Sequence, residues 1–180
     1  MSTGLPKVMR VEPAPRKFAI AIAYSWLPLP MTRADQMTVA HLISFLSARG
    51  HSVDFYALDN GEEISADHRA WIEDVCRRVE IFPHGRVRRL KGVLRGLLRG
   101  LPLQVGWFSN GAQNRALRAG LQNVDIGYSY YIRSAETMRG LGRSANRADG
   151  PVTFLAMQLS QALNTRRMAQ HYRNLKEKLL

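Results

Sequence analysis

The most regular hydrophobic pattern lies within residues 17–58, where two apolar runs flank a helix-like segment. The first run, at 18–23, lacks polar alternation, which is typical of a strand buried on both faces of a parallel sheet. Apolar residues then repeat at helical spacing, so one helix stripe can lie on the sheet: Val39, Leu42, Ile43 and Leu46. The second run covers 52–58. This pattern predicts a βαβ unit.

The ends of the predicted helix carry their own signals. Thr32 with Asp35 indicates a capping-box variant at its start, and Gly50 indicates a left-handed stop. The loop between the first strand and this helix, residues 24–34, is long and contains two prolines. Ligands of open α/β sheets bind outside the carboxyl ends of the strands. We therefore expect this loop to line a binding site, with an ordinary surface loop as the alternative.

Further elements alternate along the rest of the chain. Three more strands are predicted at 79–82, 124–130 and 152–157. Helices are predicted to begin at Ser65, and to cover 86–101, 110–121, 134–141 and 160–180, while 103–108 is expected to be extended or irregular. Five strands and about six helices predict a single α/β domain with a Rossmann-like, doubly wound parallel sheet. A length of 180 residues suits one domain.

Charge is unevenly distributed. The chain has 26 Lys plus Arg against 14 Asp plus Glu, a net charge of +12, and residues 77–118 hold ten basic residues but one acid, Glu80. This predicts a strongly positive surface, suited to phosphate-bearing partners or an anionic membrane. The single cysteine, Cys76, fits a reducing compartment. No apolar run reaches the roughly 20 residues of a membrane span. We expect a cytoplasmic protein, peripheral to the inner membrane if the basic region binds lipid.

The segment 86–101 is a basic amphipathic helix in the sequence pattern. Its apolar stripe consists of Val87, Leu90, Leu94, Leu97 and Leu101. Its basic residues are Arg86, Arg88, Arg89, Lys91, Arg95 and Arg99. One interpretation is contact with a membrane surface or another polyanion. The other is a helix that packs on the sheet through its leucines and leaves the arginines in water.

Several kinds of chemistry are not expected. The histidines have no metal-like spacing and Cys76 has no evident partner residue, so no metal site is predicted. The chain also lacks a G-x-S-x-G elbow, a Walker loop and a G-x-G-x-x-G turn. These absences lower the odds of a hydrolase, an NTPase or a nicotinamide enzyme, and no cofactor is expected.

The order of segments resembles the N-terminal half of GT-B-fold glycosyltransferases, more narrowly the retaining family 4 enzymes of bacterial exopolysaccharide and glycolipid synthesis. The resemblance spans about 17–180 and is carried by the strand 18–23, the loop Tyr24-Ser-Trp-Leu-Pro-Leu-Pro, the helix and strand at 41–53, the strand at 124–128 and the strand ending at Met157-Gln158. It implies an acceptor-binding domain that works with a second, donor-binding domain.

Two features depart from that family. Many relatives carry a glycine-rich turn in the first loop, where this chain has Met31-Thr-Arg-Ala-Asp35. The family's second domain holds two glutamates eight positions apart, and no two glutamates here have that spacing. We therefore expect a disordered lead at 1–16, an acceptor-side domain at 17–158, and a helix at 159–180 leading toward a missing second domain. The nucleotide-sugar donor is expected to bind mainly that domain.

The resemblance and the predicted strand ends together indicate substrate-binding candidates, whereas catalytic residues stay unknown. The candidates are Thr32, Arg33, Asp35, Tyr130, Tyr131, Arg133 and Gln158. Arginines suit bidentate pairing with phosphate, and tyrosines can stack on a sugar. The plain alternatives are solvated arginines, one buried and one exposed tyrosine, and a helix-capping Gln158.

Three functional hypotheses follow. The leading one is the acceptor-binding half of a glycosyltransferase that moves a sugar from a nucleotide-sugar donor to a glycan or lipid-linked acceptor. The rival is a non-catalytic basic α/β module that binds nucleic acid or another polyanion, although it lacks the interleaved aromatics of single-strand binders. The third is a remnant without activity.

Overall fold

The computed structural model of the protein describes residues 12, 15–61, 64–139, 150–157 and 166. Its strands are β1 (Ala19–Tyr24), β2 (Ser52–Asp59), β3 (Arg78–Pro83), β4 (Ile126–Tyr130) and β5 (Val152–Ala156). Its α-helices are α1 (Ala34–Ala48), α2 (Ala66–Val75), α3 (Arg86–Leu97), α4 (Leu103–Trp107) and α5 (Gly111–Gly120). Two 3₁₀ helices cover Leu121–Asn123 and Ile132–Met138.

The five strands form one parallel sheet in the order β3-β2-β1-β4-β5. This arrangement confirms the predicted Rossmann-like α/β fold. The chain proceeds outward from β1 to β3 and then returns to the other side of β1 to form β4. The strand order therefore reverses between β1 and β4, and such a reversal opens a crevice at the carboxyl edge of the sheet.

Alternate residues of β1 enter two different core clusters, which shows that helices cover both faces of the sheet. Ile20 and Ile22 pack in the cluster that includes residues of α1 and α2. Ala21 and Ala23 pack in the second cluster, with Leu117 of α5. Because small alanines face α5, this helix can lie close to the sheet. A continuously apolar strand is thus explained by burial on both sides.

The predicted helix ends are partly confirmed. Ser65 caps α2 by accepting a hydrogen bond from the His68 amide, and Gly50 adopts a left-handed φ of 82° after α1. The capping box at Thr32 and Asp35 is wrong, because the N-cap of α1 is Arg33 and no side chain caps it. The Thr32 hydroxyl instead donates to Oε1 of Gln36 at 3.0 Å.

The segment between β3 and α5 differs most from its prediction. Residues 103–108, expected to be extended or irregular, contain α4, and α3 ends at Leu97 rather than at 101. The leucine stripe of α3 faces outward, so the interpretation that it packs on the sheet is wrong. Glycines form the inner side instead, since a Cβ at Gly92 would lie 2.3 Å from the carbonyl oxygen of Gly106. Residues 86–107 are called the α3–α4 unit below.

Some predictions lie outside the described residues. They include Gln158, nearly all of the predicted helix at 159–180, and most of the lead at 1–16.

Candidate functional site

Side chains from three segments meet at the carboxyl edge of the sheet, where β1 and β4 end. Trp26 follows β1, Arg33 and Asp35 lie at the start of α1, and Tyr131 and Arg133 follow β4. Phe108 joins them from the end of α4. These residues are called the switch-point cluster: Trp26, Arg33, Asp35, Phe108, Tyr131 and Arg133. The topology places them together because parallel strands β1 and β4 end at the same edge.

Ion pairs organise the centre of the cluster. The Asp35 carboxylate pairs with Arg33, whose Nε lies 3.2 Å away, and with Arg133, whose Nη1 lies 3.5 Å away. The three side chains are 15–34% exposed, so water screens these charges only in part. Asp35 also stands in the first turn of α1, where the helix dipole favours a negative charge. Two cations share one carboxylate, which leaves one net positive charge at the crevice.

Aromatic rings fix the two guanidinium groups. Arg33 lies over Trp26 at 4.3 Å, and Arg133 lies over Tyr131 at 4.7 Å and over Phe108 at 5.3 Å. Trp26 and Phe108 also contact each other, with ring centroids 5.7 Å apart. Stacking of this kind suits arginine and restricts its rotamers. The arginine charges are consequently held in place before any ligand arrives.

The tyrosines of this edge are buried. Tyr130 is 1% exposed and packs edge-on against Tyr24, and Tyr131 is 7% exposed. The expectation that one of Tyr130 and Tyr131 would be exposed is therefore not met. Burial raises the pKa of Tyr24, and the nearby charge of Asp35 raises it further. Burial also raises the pKa of Tyr130, so both phenols stay protonated at neutral pH.

Several buried polar atoms near the strand ends have no hydrogen-bond partner within the described part of the chain. They are Ser25 Oγ, Trp26 Nε1, Arg133 Nε and Ser134 Oγ. Tyr131 also has a positive φ of 73°, an uncommon conformation for a residue with a side chain. Such strain and unpaired polar groups concentrate at functional sites. Spare hydrogen-bonding capacity thus exists at Trp26 and Arg133 of the cluster and at the adjacent Ser25 and Ser134.

The base of the α3–α4 unit is tied to the same edge. His84 follows β3, is 1% exposed, and its Nε2 lies 2.8 Å from the Trp107 carbonyl oxygen. Burial lowers the pKa of His84. Arg89 donates through Nε to the His84 carbonyl and through Nη2 to Asn60. These bonds hold α3 and α4 next to the switch-point cluster.

The predicted polyanion-contact residues occupy different environments. Arg86, Arg88, Lys91, Arg95 and Arg99 are exposed. Arg89 is half-buried, because its guanidinium is engaged by His84, by Asn60 and by the ring of Trp107 at 5.8 Å. Five of the six residues are therefore available to an external ligand.

A cleft of about 520 Å³ lies at the opposite, amino-terminal edge of the sheet. Its lining includes Phe18, Asp125, Val152 and Phe154. The Asp125 carboxylate already accepts a hydrogen bond from the Ala19 amide at 2.8 Å. The other charged residue of the lining, Arg16, lies over the Phe18 ring, so both charged groups of the cleft are already engaged and the cluster at the carboxyl edge is the stronger candidate site.

Two further features are absent from the part of the chain that the structure describes. No group of three or more His, Cys, Asp or Glu side chains there is arranged to hold a metal ion. None of the helices there combines the length and apolar character needed to cross a membrane.

Of the predicted substrate residues, Arg33, Asp35, Tyr131 and Arg133 come together, and Tyr130 lies beneath them in the core. Thr32 is exposed at the edge of the group. Sequence reasoning missed Trp26 and Phe108. Trp26 lies in the loop at 24–34, which was expected to line a binding site, so it could have been included among the candidate residues. Phe108 gave no signal, because it lies in the segment whose helix was not predicted.

Comparison with known proteins adds no family: no family model, no curated protein and no solved structure matches the chain.

Proposed function

We propose that this protein is the acceptor-binding half of a GT-B-type glycosyltransferase. Together with a second domain, which would bind most of the nucleotide-sugar donor, it would move a sugar from that donor to a glycan or lipid-linked acceptor. We place the activity in the cytoplasm, at the periphery of the inner membrane. The observation that carries the proposal is the switch-point cluster, where Arg33, Asp35 and Arg133 meet at the reversal of strand order.

Each charged residue has a chemical role in this proposal. When a nucleotide sugar reacts, the departing diphosphate needs positive charge that is already oriented. Arg133 suits this need because stacked rings hold it and its Nε is free to donate within the described structure. Asp35 would orient both arginines and accept a hydrogen bond from an acceptor hydroxyl. A fixed acceptor lowers the entropic part of the barrier.

Ligand-observed NMR on the full chain tests this proposal. Candidate glycans, glycolipid head groups and nucleotide sugars are screened for saturation transfer, first with the natural chain and then with variants. Asp35→Asn is expected to weaken acceptor binding, and Arg133→Ala is expected to weaken nucleotide-sugar binding, each about tenfold or more, the scale of one or two lost charge-assisted hydrogen bonds. Arg69→Ala is the matched control, since Arg69 is exposed on α2, away from the cluster.

Three results would contradict the proposal in whole or in part. If Asp35→Asn bound the acceptor, and Arg133→Ala the nucleotide sugar, as well as the natural chain does, the switch-point cluster would be removed from the site. Salt-dependent binding of random oligonucleotides without binding of any sugar ligand would favour the non-catalytic polyanion module. Sugar transfer by the purified chain alone would show that the donor does not need a second domain.

A further inference from the structure

The outer side of the α3–α4 unit is an exposed apolar surface. Its large apolar side chains, with their exposed fractions, are Val87 (67%), Leu90 (68%), Leu94 (61%), Leu97 (56%), Leu98 (83%), Leu103 (60%) and Trp107 (42%). Isolated apolar residues are common on protein surfaces, but Val87, Leu90, Leu94 and Leu97 share one stripe of α3, and an exposed apolar stripe of this kind marks an interaction site.

The packing of α3 on α4 explains why these leucines face outward. Gly92 and Gly96 are the buried residues of α3, and both lie against Gly106 of α4. A Cβ at Gly96 would be 3.0 Å from the Gly106 Cα, so the two backbones are in direct contact. The leucines therefore contribute to neither core cluster of the sheet. The packing of the fold therefore does not explain why these exposed positions are apolar.

Basic side chains line the apolar surface. The exposed ones are Arg86, Arg88, Lys91, Arg95 and Arg99. Residues 86–107 contain no Asp or Glu, so nothing in the unit offsets their charge. An apolar stripe with a basic flank is complementary to a bilayer that carries anionic head groups.

We infer that the outer surface of the α3–α4 unit docks on an anionic lipid bilayer. The leucines enter the boundary between head groups and acyl chains, the arginines and Lys91 meet lipid phosphates, and Trp107 lies at the level of the head groups. Nucleic acid would satisfy the charges but would leave the leucines in water. A symmetric contact with a second copy would bury the leucines but would bring two sets of five cations together.

The docking surface adjoins the switch-point cluster. Phe108, directly after α4, contacts Trp26 and lies under the guanidinium of Arg133. A protein docked through α3 and α4 would thus hold Arg133 near the membrane plane. Delivery of a lipid-linked acceptor to that position rests on the proposed function, whereas membrane docking itself does not.

Vesicle sedimentation tests the inference with the full chain. The natural protein is expected to sediment with phosphatidylcholine vesicles that contain phosphatidylglycerol, and much less with pure phosphatidylcholine. Leu90→Ser with Leu94→Ser should lower the partition coefficient about tenfold or more, since two apolar contacts with the acyl region are lost. Arg88→Gln, Lys91→Gln and Arg95→Gln together should produce a similar loss at low salt and weaken the salt dependence, since only Arg86 and Arg99 of the five exposed cations remain.

Matched controls separate the surface from general charge and hydrophobicity. Arg69→Gln with Arg115→Gln removes exposed basic residues of α2 and α5, and Met37→Ser removes an exposed apolar residue of α1. Both control proteins should bind vesicles as the natural chain does. All substituted side chains are exposed, and circular dichroism with urea unfolding verifies that each variant is folded.

Trp107 provides a second readout. Brominated lipids should quench part of the tryptophan fluorescence, and Trp107→Phe should abolish that part, since Trp26 and Trp71 are half-buried. Three results would overturn the inference: no vesicle binding at low salt, equal binding by the leucine double variant, or quenching unchanged by Trp107→Phe. Because these assays contain no sugar donor or acceptor, their failure would leave the proposed sugar transfer untouched.

Discussion

Single side chains show how this protein accommodates charge close to its core. Asp54 lies on β2, between β1 and β3, and is only 3% exposed. Arg77 binds it with two hydrogen bonds, Nε to Oδ1 at 2.8 Å and Nη2 to Oδ2 at 2.6 Å. A buried carboxylate is unexpected in an otherwise apolar strand, and Arg77 explains it by neutralising the charge of Asp54. The neighbouring pair of Arg78 and Glu80 is more exposed.

Removal of Arg77 should be costly because it would leave the Asp54 carboxylate buried and unpaired. We expect Arg77→Met to lower the free energy of unfolding by about 2 kcal/mol, below the usual range for buried pairs, since Arg77 is itself 46% exposed. Arg78→Met is the control and should cost less than about 1 kcal/mol. Urea unfolding measures both variants. Equal losses would show that Asp54 gains nothing specific from Arg77.

Cys76 should make stability depend on alkaline pH. Burial raises its pKa to about 12, and the charge of Asp54 contributes to the same shift. An unfolded thiol ionises near pH 8.5. Between roughly pH 9 and 12 the unfolded chain therefore holds fewer protons than the folded one, so the free energy of unfolding falls as pH rises, by up to about 1.4 kcal/mol per pH unit for this one group.

The measurement is urea unfolding at several pH values above 8 for the natural chain and for Cys76→Ala. The variant should lose less stability between pH 9 and 10, before the buried tyrosines contribute their own alkaline loss. Identical slopes would mean that the thiol is as accessible to deprotonation in the folded protein as in the unfolded chain.

Among the secondary-structure elements, α3 shows how glycine can decide the orientation of a helix. Glycine lowers helix propensity by about 1 kcal/mol relative to alanine, so Gly92 and Gly96 weaken α3 in isolation. In the folded protein they allow backbone contact with Gly106, which no larger residue permits. Close packing of the two backbones offsets the low helix propensity of the glycines, and the apolar stripe of α3 is left exposed.

Gly92→Ala should open the α3–α4 unit in spite of its gain in helix propensity. The new Cβ would meet a backbone oxygen, which cannot rotate away, so overpacking of about 1–3 kcal/mol exceeds that gain. Amide hydrogen exchange should become at least several-fold faster in α3 and α4 while β1 and β2 keep their protection. The control is Gly111→Ala, at the start of α5, where the nearest contact is a flexible arginine at 3.6 Å. Slower exchange in α3 of Gly92→Ala would contradict the packing argument.

For the whole molecule, the sequence predicts the sheet well and the site in part. Short apolar runs, and for β4 an alternation of apolar and polar positions, identify all five strands, and the intervening helices imply parallel pairing. Chain order alone brings Arg33, Asp35 and Arg133 to one edge. The direction of the α3 stripe could not be predicted, because periodicity groups residues on a face without saying what that face meets. The direction of the stripe is set by the contact between Gly92 and Gly106, two residues that the helical pattern does not relate but that are adjacent in the fold.

The position of the α3–α4 unit has a consequence for how such a protein can diverge. The residues of the unit belong to neither core cluster, whereas α5, which follows it in the chain, contributes Leu117 to the cluster on one face of the sheet. Outer positions such as Leu94 can therefore change while the sheet and its charged edge persist. Proteins built on this scaffold could acquire new binding partners through changes in one short surface segment, provided that the glycines of that segment stay unchanged.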